Sequence, residues 1–60
     1  MNLFDLYRLC DNLNRGSVIR VHDNYEYVGE FLYMDTPHRL ENKPIKGFRV
    51  YNDVNIEIWV

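Results

Sequence analysis

Three side chains in this sequence have the chemistry for nucleophilic, acid–base or metal work: Cys10, His22 and His38. A thiol becomes a useful nucleophile only beside a base or a positive environment. Cys10 instead falls on the apolar stripe of N-L-F-D-L-Y-R-L-C-D-N-L, where it reads as a packed small hydrophobe. His22 falls at a hairpin tip and His38 in a loop bracketed by prolines, with no carboxylate fixed beside either. A metal centre needs three or four ligands at recognisable spacing, and no such set is present. Gly16, Gly29 and Gly47 are isolated, so no loop is built to cradle phosphate. The expectation is a protein that is not an enzyme and uses no cofactor and no metal.

Two other sets of residues suggest binding. Arg20, Arg49, Lys43 and Lys46, with Tyr25 and Tyr51, could line a basic aromatic strip of the kind that holds nucleic acid. A net charge of −2 and a Glu26 expected opposite Arg20 argue against that reading. Trp59, Tyr33, Leu32, Met34 and Tyr51 form the second set. They are large apolar or aromatic side chains in excess of one small core, and Trp and Tyr dominate protein-binding hot spots.

These side chains must be positioned by few elements, because 60 residues make one domain, residues 1–60. A chain this short buries only about 60% of its unfolded surface. With 47% hydrophobic and 15% aromatic residues the core is rich enough to offset that. The single cysteine excludes an internal disulfide and suits a reducing compartment. The opening lacks the pattern of a signal peptide, and no apolar run approaches the ~18 residues of a membrane span. A cytoplasmic protein without membrane contact is expected.

Residues 2–13 read as a helix. Leu3, Leu6, Tyr7, Cys10 and Leu13 share one face, Asn2 serves as N-cap with Asp5 three residues on, and N-R-G at 14–16 is the stop. The rest reads as two antiparallel hairpins with a repeated pattern, I-R-V-H-D-N-Y-E-Y and F-R-V-Y-N-D-V-N-I. Three-residue loops, His22-Asp23-Asn24 and Tyr51-Asn52-Asp53, make the cross-strand pairs sensible. They set Ile19 against Tyr27, Arg20 against Glu26, Val50 against Val54 and Phe48 against Ile56. Between the hairpins, D-T-P-H-R-L-E-N-K-P predicts a loop with a helical turn at His38–Glu41, and Pro44 opens the third strand. The resulting fold is α+β: an N-terminal helix on a four-stranded antiparallel, strongly bent sheet, with a small SH3-like barrel as the close variant.

The second strand, Y-E-Y-V-G-E-F-L-Y-M, is apolar on both faces. Tyr25, Tyr27, Phe31 and Tyr33 alternate on one, Val28, Leu32 and Met34 on the other. Such a strand belongs in a curled sheet or leaves one patch open for a partner. Gly29 marks a bulge or a close approach. In the last strand, Val54, Ile56, Ile58 and Val60 point inward, so Trp59 points outward with Asn55 and Glu57, either over Ile45 or into an interface.

The chain also resembles small proteins of about this length encoded by phages, plasmids and conjugative elements of Firmicutes. The residues that carry the likeness are M-N-L-F-D with Leu9-Cys10, then Tyr27-Val28-Gly29, Pro37, Leu40 and the closing V-N-I-E-I-W-V. The resemblance implies a bacterial, cytoplasmic setting and brings no functional residues with it. Together these readings predict a non-enzymatic protein-binding module of a mobile element. Its partner would be a host protein, such as a CRISPR effector nuclease that it inhibits. Homodimerisation is a second expectation, and nucleic-acid binding by a small barrel is the alternative.

Overall fold

The computed structural model describes residues 1–52 and 54–60. Asp53, the third residue of the expected second loop, lies outside the described residues. The order of elements is helix α1 (Leu3–Leu9), strands β1 (Val18–Asp23) and β2 (Glu26–Leu32), a 3₁₀ turn (Tyr33–Asp35), helix α2 (His38–Glu41), and strands β3 (Gly47–Asn52) and β4 (Asn55–Trp59).

Helix α1 starts where its residue types require. Asn2 Oδ1 accepts from the Asp5 amide at 3.0 Å, and Asp5 Oδ2 accepts from the Asn2 amide at 3.1 Å. This reciprocal cap satisfies two amides that a helix start leaves without partners. The helix is shorter than the expected 2–13, with Cys10 as its C-cap in an extended conformation. The next residues favour turns over helix. Asn14 Oδ1 accepts from the Gly16 amide at 2.8 Å, and the buried Ser17 hydroxyl accepts from the Asn14 amide at 2.9 Å. Leu13 still reaches the core. Helix α2 forms at the expected His38–Glu41, and its Leu40 is fully buried.

The sheet is mixed and open, in the order β2-β1-β4-β3. The all-antiparallel expectation is corrected here, because β1 and β4 pair in parallel, Ile19 beside Ile56 and Val21 beside Ile58. The chain returns through α2 to place its last strand beside its first. This lets the four most apolar inward positions, Ile19, Val21, Ile56 and Ile58, meet at the centre, each fully buried. The sheet keeps two free edges, β2 and β3, so the barrel variant is not formed.

Both hairpins differ from the expected register for one reason: each has a shorter turn and a bulge. At the first, Asn24 and Tyr25 have φ of 53° and 70°, the two left-handed central residues of a two-residue hairpin turn. Asp23 then pairs with Glu26 and His22 with Tyr27. An unbroken ladder from there would set Ile19 against Glu30 and draw a carboxylate to the core side. Val28 is inserted as an extra residue, and beyond it Val21 meets Gly29, Arg20 meets Glu30 and Ile19 meets Phe31. Gly29, expected at a bulge, sits beside it with φ of 151°.

At the second hairpin the ladder begins at Asn52–Asn55. The extra residue is Tyr51, beyond which Val50 pairs with Ile56, Arg49 with Glu57, Phe48 with Ile58 and Gly47 with Trp59. Gly47, not Ile45, is therefore the cross-strand neighbour of Trp59. The expected pairs Ile19–Tyr27, Arg20–Glu26, Val50–Val54 and Phe48–Ile56 are all displaced. The third strand begins at Gly47 and not at Pro44, and the second ends at Leu32.

One face of the sheet carries the core. Leu3, Leu6, Leu13 and Leu40 close over Ile19, Val21, Ile56, Ile58 and Val60, with Tyr7, Cys10, Phe31, Tyr33 and Ile45 packed at the margin. Tyr7 of α1 stacks on Tyr33 at 4.0 Å between ring centroids. Burial, reinforced by Glu41 and Tyr7, pushes the Tyr33 hydroxyl above its ordinary pKa. The helical layer does not reach the far edge, where Phe48 and Val50 of β3 stay 47% and 56% exposed.

Candidate docking face

The face turned away from α1 and α2 carries the side chains of interest. The strand pairing arranges them in rows that cross the sheet. One row is charged: Glu30 of β2, Arg20 of β1, Glu57 of β4 and Arg49 of β3 are successive register partners. The next is mostly aromatic: Tyr27, His22 and Trp59, ending on Gly47.

Glu57 is the centre of this face. It is 7% exposed and binds two partners. Arg49 Nε donates to Glu57 Oε1 at 2.8 Å, and His22 Nε2 donates to Oε2 at 2.6 Å. The His22 bond, seconded by Arg49, holds the Glu57 carboxyl below its ordinary pKa, and burial opposes that shift. A carboxylate kept ionised requires the proton of this hydrogen bond to sit on the imidazole, which fixes the ring's donor nitrogen.

Each large side chain along the β3 side of the face has a partner behind it. Trp59 stacks on His22, with centroids 4.9 Å apart and planes within 10°. Its Cε3 lies 4.0 Å from where a Cβ on Gly47 would sit, so the indole extends over that glycine. Arg49 is held by Glu57. Tyr51, brought to this face at its bulge, lies under Arg20, whose Cζ is 4.2 Å from the ring centroid. Arg20 is held in turn by Glu30 at 2.8 Å, a bond that raises the guanidinium pKa further. Gly47, Arg49 and Tyr51 alternate along β3, so Trp59, Arg49 and Tyr51 form a line of indole, guanidinium and phenol.

The other expected binding residues separate. Tyr33 packs under α1 on the core side. Leu32 and Met34 are exposed at the β2 end, 42% and 58%. In the basic set, Lys43 is committed to Asp23, whose two carboxylate oxygens it contacts at 2.8 and 2.9 Å. Lys46, whose amide donates to the Trp59 carbonyl at 2.7 Å, lies 5.9 Å from the Tyr25 ring centroid, at the Trp59 end of the sheet. Arg20 and Arg49 do share the outer face, with Glu57 between them in the register.

Tyr27 and Glu57 belong to this face although neither was expected to bind, and His22, expected at a hairpin tip with no carboxylate beside it, instead lies within β1 against the Glu57 carboxylate. The signal for Glu57 was its outward place beside Trp59 on an alternating strand. Tyr27 was assigned to the face of Phe31, and the bulge at Val28 puts the two on opposite faces. Cys10 lines a shallow groove with Asp11, Asn12, Leu13 and Val50. The imidazole of His38 is 92% exposed and meets Glu41 at 3.9 Å. Among the described residues no group of His, Cys, Asp and Glu is placed to hold a metal, and no helix is long and apolar enough to cross a membrane.

Compared with protein-family models, curated proteins and solved structures, the chain finds no match in any of the three.

Proposed function

We propose that this chain is a non-enzymatic protein-binding module that docks through the uncovered face of its sheet. The observation that carries the reading is the line of Trp59, Arg49 and Tyr51, each held by a partner on another strand of the sheet. Trp, Arg and Tyr are the residue types that supply most interface energy. Side chains already held in one rotamer lose less entropy when a partner arrives. That the partner is a host protein, with an inhibited defence nuclease as the specific case, rests on the likeness to mobile-element proteins.

Nucleic acid fits the same face less well. Both arginines are paired at 2.8 Å with carboxylates of the face itself, and Lys43 is paired with Asp23. Affinity for a phosphate backbone depends on cations free to displace its counterions.

The test is capture from a nuclease-treated Gram-positive lysate, with wild type, Trp59→Ala, Tyr51→Ala and Leu9→Ser compared. Leu9 is exposed on α1, away from the sheet face. One stoichiometric protein should be retained by wild type and Leu9→Ser and lost by both aromatic variants, Trp59→Ala weakening it by about thirtyfold or more. Retention by both aromatic variants, or loss with Leu9→Ser alone, would refute the assignment of the surface.

A further inference from the structure

We infer that the partner is a protein that sets a carboxylate side chain against Arg49, with apolar groups on the Trp59 and Tyr51 rings to either side. This rests on the reading of the outer face as the docking surface and states what that surface selects.

Part of the hydrogen-bonding capacity of the face is already used within it. Glu57 has one oxygen on His22 and the other on Arg49, and it is buried. Arg49 gives only its Nε to that bond. Its side chain is 65% exposed, and among the described residues no other acceptor meets it. A guanidinium offers five N–H donors, so its outward Nη edge remains to be satisfied. The acceptor that matches two parallel N–H groups is a carboxylate or a phosphate oxygen pair.

The surroundings choose between those two. The row Glu30–Arg20–Glu57–Arg49 alternates in sign, so the cations are cancelled within the face and a distant polyanion feels no net attraction. An acceptor reaches Arg49 only at contact distance, which favours one carboxylate on a folded or docking segment over a phosphate chain. Trp59 and Tyr51 flank the guanidinium along β3, and apolar groups laid on them exclude water from the pair. Excluding water strengthens a charge-assisted bond that would be weak in the open. The partner's docking motif is then an acidic residue with apolar neighbours. A second copy of this chain is a poorer occupant, because each edge strand carries a bulge that breaks the ladder another sheet would extend.

A displayed random-peptide library selected on the full chain tests this, with affinities read from the fluorescence anisotropy of dye-labelled peptides, a signal that does not depend on the single tryptophan. Selected peptides should carry Asp or Glu next to apolar residues. They should bind Arg49→Gln at least about tenfold more weakly than wild type. Arg49→Lys keeps the charge and loses the fork, so it should recover only part of the affinity. Arg8→Gln, on α1, should bind as wild type does. Melting curves confirm that each variant is folded, and Arg49→Lys carries the test if Arg49→Gln is not.

Selected peptides without acidic residues that still need Trp59 and Tyr51 would overturn the carboxylate and leave the docking face standing. Peptides indifferent to Trp59→Ala and Tyr51→Ala would overturn both. So would tighter, salt-sensitive binding of an oligothymidylate strand, which would identify a nucleic-acid face. Self-association abolished by Arg49→Gln would make a second copy the occupant and overturn the inference. Failure to enrich any peptide would do the same.

Discussion

At the scale of single residues, Glu57 connects stability to the binding face. Its carboxyl is held below the ordinary glutamate value of 4.5 in the folded chain. The folded form therefore binds a proton less readily than the unfolded form. The stability this gives is fully present above pH 4.5 and is lost as the pH falls through the lower, folded value. Melting temperature should accordingly drop on acidification below pH 4.5, and Glu57→Gln should melt lower at neutral pH with a flatter curve in that window. Parallel curves for the two proteins would show that Glu57 is not responsible. The residue types on the face were legible in the sequence: Arg20, Arg49 and an outward Trp59 follow from simple alternation. What brings them together was not. His22 lies 35 residues from Glu57, and no local rule connects them.

At the scale of elements, the helix cap and the turn at His38–Glu41 were legible because they depend on neighbours in the chain. The hairpin registers were not, although both parities were right. Arg20 faces a glutamate from β2, but that residue is Glu30 and not Glu26. Phe48 faces an isoleucine of β4, but that residue is Ile58 and not Ile56. One uninterrupted ladder in each hairpin would require three-residue loops. The chain uses tighter turns and takes up the mismatch with one extra residue in each edge strand.

The first turn carries a strain that can be measured. Tyr25 holds φ of 70° and is 90% exposed, so its ring contributes little packing at a position glycine would fill without penalty. Tyr25→Gly should stabilise the protein by about 0.5–1 kcal/mol, after allowing for glycine's greater freedom when unfolded. For a domain of this size that is a rise of about 2–8 °C in melting temperature. A fall instead would mean that the Lys46–Tyr25 contact outweighs the backbone.

At the scale of the molecule, the two hairpins lie at the outside of one sheet and meet through its centre. Amides of β1 and β4 should therefore exchange with solvent most slowly, and those of β2 and β3 earlier, measured residue by residue by NMR. Equal protection of β3 and β4 would contradict this layering. The parallel centre was the least legible feature, because alternation tells a strand which face is buried and nothing about which distant strand lies beside it. Two hairpins of similar pattern fit a meander as readily as the observed order.

That order also bears on how the chain is made. The contact between Val18 and Asn55 that opens the parallel pair spans 37 residues, and β4 is the last of the four strands to be translated. A nascent chain that has reached β2 holds one short helix and a two-stranded hairpin, and a hairpin of two strands is marginal in water. Its inner face can meet Leu3, Leu6 and Leu13, but the central layer of the core stays incomplete until Ile56 and Ile58 are made. Folding of this stretch must therefore follow its synthesis, and a ribosome stalled before residue 55 would hold a chain open to proteases and chaperones.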